Sequence, residues 1–99
     1  MYIIREVLNC KPGKVRPLMD KFRTLSRALE ETGRPPIRLL TDVSGEPFWT
    51  LIAEVTVPTV DEFFGVENEL MGNESVRRAM SDYHELVSSG RREIYRVES

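Results

Sequence analysis

The single histidine, His84, is the first residue to consider for chemistry, because its ordinary pKa lies near neutrality and suits acid or base work. On a helical wheel it falls about 40° beyond Met80, at the rim of an apolar stripe. That is where a pocket-facing group sits, and also where an ordinary surface histidine sits. Trp49 and Tyr83 are the aromatic side chains best placed to line an apolar pocket, although each also falls on a core-facing stripe, which favours plain packing. Arg38 carries a planar fork that could hold a carboxylate or phosphate, with an ion pair to Glu6 or Glu54 as the simpler role. The lone cysteine, Cys10, lies near the expected start of a helix, where a thiol is activated. No histidine lies near it in sequence, so a plain loop thiol is the simpler reading, and one cysteine excludes an internal disulfide. With one His and one Cys, a metal site would need carboxylates, so no metal is expected. Lys11-Pro12-Gly13-Lys14 lacks the Gly-rich spacing and the Lys-Ser/Thr ending of a phosphate loop, and Gly13 reads as a turn residue.

The chain that must position these groups has 99 residues, enough for one domain over 1–99. Fourteen basic and sixteen acidic residues give a net charge of −2, which argues against nucleic acid as a partner. Arg77-Arg78 and Arg91-Arg92 sit among acidic neighbours and read as solvated surface. No run has the length of a membrane helix and no signal-peptide pattern opens the chain, so a soluble cytoplasmic protein without a membrane partner is expected.

Six elements follow from the patterning. Tyr2–Leu8 is β-rich. Val15, Leu18, Met19, Phe22, Leu25 and Leu29 recur at helical spacing from about Lys14, with Pro17 in the first turn and Gly33 as the stop. Ile37–Val43 and Phe48–Val57 read as strands joined by the turn Ser44-Gly45-Glu46-Pro47. Thr59 and Glu62 have capping-box spacing at the start of a short helix, which Gly72-Asn73 interrupts. Val76, Ala79, Met80, Tyr83 and Val87 predict a further helix from about Glu74 to Ser88, closed by Gly90. Arg92–Val97 is the last strand.

The order β-α-β-β-α-β is the ferredoxin-like, split βαβ arrangement, an antiparallel four-stranded α+β sheet with helices on one face. Right-handed crossovers place the first and third strands in the centre. In the third strand Trp49, Leu51, Ala53, Val55 and Val57 point towards the helices, and Phe48, Thr50, Ile52, Glu54 and Thr56 point away. Large apolar groups on both faces predict a homodimer closed through the open sheet face, with Glu6, Arg38 and Glu54 half-buried near the interface.

Three passages resemble the dimeric α+β barrel superfamily, which includes antibiotic-biosynthesis-type (ABM-like) monooxygenases, haem-degrading relatives and NIPSNAP-like proteins. They are the turn Lys11-Pro12-Gly13-Lys14, the strand Trp49–Val55 leading into Thr59-Val60-Asp61-Glu62-Phe63, and the stretch Tyr83-His84-Glu85-Leu86-Val87. The resemblance implies a dimeric barrel and a pocket between sheet and helices for a small apolar or aromatic ligand. It also implies oxygenation of an aromatic or lipid-like substrate without a separate cofactor, with Trp49, Tyr83, His84 and Arg38 as ligand-binding candidates. The haem-degrading relatives place an Asn on the first strand, a Trp on the third and a His on the second helix. Here Asn9, Trp49 and His84 stand in those elements, with Met80 nearer the family's histidine position, so haem degradation ranks lower. The alternative to a small-molecule-binding or catalytic protein is a noncatalytic structural or regulatory dimer with a filled core.

Overall fold

A computed structural model describes residues 1–45 and 47–99; the expected turn through Glu46 lies partly outside the described residues. The order is β1 (Tyr2–Cys10), α1 (Val15–Glu31), β2 (Arg38–Thr41), β3 (Thr50–Val57), α2 (Val60–Met71), α3 (Glu74–Met80) and β4 (Val87–Arg96), with a 3-10 turn at Tyr83–Glu85. The strands form one antiparallel sheet in the order β2-β3-β1-β4, so β1 and β3 are central. This is the expected ferredoxin-like α+β arrangement.

Helix α1 has the strongest local design. Pro17 falls in its first turn, where the missing N–H costs nothing. At the far end Gly33 takes φ 81°, and the N–H groups of Gly33 and Arg34 bond back to the carbonyls of Glu30 and Leu29, which is a Schellman cap. Leu18, Phe22 and Leu29 are buried on one face of the helix. Ser26 on the same helix accepts the N–H of Ile37 at 2.8 Å, which fixes the approach to β2. Leu18, Phe22, Leu51, Ala53 and Cys10 form the packed core, as the alternation in β3 predicts for Leu51 and Ala53.

Three expectations fail locally. The helix expected over Glu74–Ser88 ends at Met80, and Val87–Arg96 is strand instead. Asp82 takes φ 64°, and Lys21 of α1 donates to the carbonyls of Ala79 and Ser81, both at 2.8 Å. A cation from another helix thus satisfies the carbonyls at this end, where continued helix would otherwise do so. Gly90, expected to stop that helix, lies within β4 opposite Leu8; a Cβ there would come within 2.9 Å of the Leu8 side chain. Trp49 lies outside β3, at φ 65°, and is 44 % exposed, so it does not continue the buried face of Leu51.

Candidate functional site

Helix α2 determines the site. Thr59 accepts the N–H of Glu62 at 3.1 Å, the first half of the expected capping box. The helix is amphipathic, yet none of its side chains is buried. Phe63, Val66 and Leu70 are half-buried and line the space over the sheet. The space left between α2, α1, α3 and the sheet is a cavity of about 600 Å³. Its walls are mainly apolar, from Ile4, Leu8, Phe22, Leu25, Ala53, Val55, Phe63, Val66 and Leu70. Volume and lining fall within the range of small-molecule sites.

The cavity's main polar feature is an ion cluster. Glu6 of β1 pairs with Ala53 and Arg92 in register and so points to the covered side of the sheet. The expected placement of Glu6 near the open face is therefore wrong: parity puts it with Ile4 and Leu8. Arg92 donates to Glu6 through Nε, and to Glu67 of α2 through Nη2 at 2.7 Å. Its guanidinium also stands 5.0 Å from the ring centroid of Phe63 and 5.8 Å from that of Phe64. Burial disfavours the Arg92 charge, but the hydrogen bonds and charges of Glu6 and Glu67 outweigh it and hold the guanidinium above its ordinary range. This bridge from β4 to α2 ties down the mouth of the cavity.

The predicted site residues divide. Tyr83 lines the cavity. His84 is exposed and borders a second, outer recess of about 530 Å³ along the start of β4, which shares Glu6, Leu8, Tyr83 and Arg92 with the first. Trp49 and Arg38 line neither. Arg38 is exposed on β2, opposite Glu54; Glu54 pairs instead with Arg5, at 2.9 Å. The expected cavity bordered by Trp49 and His84 is thus replaced by one bordered by Tyr83 and the Arg92 cluster. Glu6 had a legible signal, an ionisable group on the apolar face of Tyr2, Ile4 and Leu8, which must find a partner. Arg92 and Glu67 had none, because their meeting depends on where α2 crosses.

The groups that would suit haem do not converge. Asn9 is on the open face, bonded to Ser89 and Thr50, Trp49 is off the cavity, and His84 sits beyond the end of α3. Among the described residues no group of three or more His, Cys, Asp or Glu side chains is placed to hold a metal. Cys10 is buried, and burial and then the charge of Asp42 push its thiol up, away from the activated state expected of a helix N-terminus. No helix among the described residues is long and apolar enough to cross a membrane.

No protein-family model matches the chain, and no curated protein matches it by sequence. Solved structures do match by shape. A NIPSNAP-like domain protein of uncharacterised function from Burkholderia xenovorans superposes with a TM-score of 0.81 at 10 % identity, covering 99 % of this chain and 85 % of that one. A NIPSNAP family protein from Agrobacterium tumefaciens gives 0.80 at 12 % identity, covering 98 % and 86 %. A proposed antibiotic biosynthesis monooxygenase from Nitrosomonas europaea gives 0.72 at 13 % identity, covering all of both chains. The likeness is one of fold. NIPSNAP-like and ABM-like proteins are among the groups that the three sequence passages resemble, and at such identities the shared fold says nothing of chemistry.

Proposed function

We propose that this chain binds a small apolar or aromatic molecule in the cavity under α2, and does so as a homodimer closed through the open sheet face. The observation that carries the ligand half is the cavity itself. An amphipathic helix stands off its sheet over about 600 Å³ of apolar wall, where a purely structural protein would fill its core.

The dimer half rests on the open face. Across all four strands Arg38, Glu54, Arg5 and Glu93 stand in one row, with charges alternating in sign. Beside it Leu40, Ile52 and Val7 form an apolar row that ends at Arg91 on β4. A twofold axis along the strands reverses the charged row on the second copy. Arg38 then meets Glu93, and Arg5 meets Glu54, while in the neighbouring row Ile52 meets Val7.

A catalytic form of this reading, a cofactor-independent monooxygenase on an aromatic or lipid-like substrate, is favoured by the fold shared with the Nitrosomonas protein. Such a substrate must itself supply the electrons and protons that reduce the second oxygen atom to water. Tyr83, Glu6, Glu62 and Glu67 are among the titratable groups lining this cavity, and His84 stands at its outer side.

A thermal-shift screen of apolar and aromatic compounds tests the ligand half. Binders should raise the melting temperature of the chain and fail to do so with Val66→Trp, which fills the cavity. A screen without binders, or binders indifferent to Val66→Trp, would refute the assignment.

A further inference from the structure

From the charges around the cavity we infer its ligand class: an apolar body carrying a cationic head, such as a primary amine, and not a carboxylate. The inference rests on the proposed binding role of the cavity and adds its polarity. Two carboxylates, Glu6 and Glu67, share one guanidinium, so the cluster carries one net negative charge. All three remain reachable, with 28 %, 41 % and 33 % of the Glu6, Glu67 and Arg92 side chains exposed. The guanidinium spends two of its five N–H donors on the carboxylates, and its single positive charge is outweighed by their two negative ones. The carboxylates keep free lone pairs, because each has one oxygen beyond its bond to Arg92.

The other charges near the cavity do not reverse this sign. Arg34 is neutralised by Glu69 at 3.1 Å, and Glu62 adds a further carboxylate to the lining. The α-amino group of Met1 lies five residues up β1 from Glu6, about 17 Å along an extended strand. An ammonium head at the cluster would take the oxygens of Glu6 and Glu67 that Arg92 leaves free, and rest its chain against the apolar wall. A carboxylate head would meet two like charges against the one guanidinium, a net repulsion.

Isothermal titration with decylamine, decanol and decanoate below their aggregation limits reads this directly. Decylamine should bind about tenfold more tightly than decanoate, the ratio expected of one partly screened charge pair, with decanol between. Glu67→Gln, on an exposed helix position, should bring the three affinities towards one another while circular dichroism stays unchanged. Glu6→Gln should act in the same direction. Decanoate binding as well as or better than decylamine would overturn the ligand class and leave the cavity's binding role standing. A ratio untouched by both variants would do the same. Failure of all three probes to bind would overturn both.

Discussion

The two faces of this one sheet solve the same problem differently. Both carry an arginine held by carboxylate, Arg92 with Glu6 and Glu67 on the covered side and Arg5 with Glu54 on the open side. On the covered side the chain's own helices supply the partner and leave a cavity. On the open side Arg5 pairs with Glu54 inside a row of charges across four strands, whose end residue Arg38 is exposed, beside apolar side chains that the chain itself does not cover. The first arrangement organises space for a ligand; the second organises a surface. The comparison shows that an ion pair on a sheet has to be assigned to a face before it can be assigned a role.

Neighbouring residues of β3 give the sharpest contrast. Leu51→Ala empties a fully buried position and should cost about 2–5 kcal/mol in urea unfolding at any protein concentration. Ile52→Arg, one residue on and facing outward, should leave the folded chain intact and convert a dimer to single chains in light scattering. If Ile52→Arg unfolded the chain as Leu51→Ala does, the two faces would not differ in the way described.

Next in size is the loss of each arginine. Arg5→Ala strands Glu54, whose side chain is 10 % exposed, and should cost about 1–3 kcal/mol. Arg92→Ala strands carboxylates that stay within reach of water and should cost about 1 kcal/mol or less in chemical denaturation. An equal or reversed order would show that the cluster at the cavity mouth is a structural strut.

A smaller effect concerns Cys10. Its thiol, raised by burial and by Asp42, should react with a disulfide reagent at pH 8 far more slowly than the same thiol in the denatured chain. A fast reaction in the native state would mean that the Cys10 end of the covered face opens readily.

Smallest is the pH dependence of Glu93, whose carboxyl is held below the usual range chiefly by its hydrogen bond to Arg91, against some desolvation, with Tyr95 and Arg5 assisting. A depressed folded pKa contributes stability above the unfolded value, near 4.3, and loses it as pH falls through the folded value. The denaturation midpoints of the parent chain and Glu93→Gln should therefore differ at pH 6 and converge in acid. A gap that persists at pH 2 would contradict the assignment.

Much of the fold was legible because its signals are local: the stripe of α1, the Gly33 stop, the Thr59 cap and the alternation of Leu51 and Ala53. The errors share a cause. The stripe from Val76 to Val87 has helical period, but Asp82 and the reach of Lys21 end the helix early, and β1 offers Val87–Arg96 a strand partner. Trp49 has the right parity and the wrong backbone. In the sequence Arg92 resembles solvated surface because its partners lie 86 and 25 residues away. Thus the element order is written in neighbours, while the site is written in crossings.

Native mass spectrometry of the chain mixed with a binder from the screen tests both faces at once. The account predicts a complex at twice the 11.4 kDa chain mass carrying up to one ligand per chain, with Ile52→Arg splitting the dimer and Val66→Trp removing the ligand. A lone 11.4 kDa chain that retains no binder would contradict it.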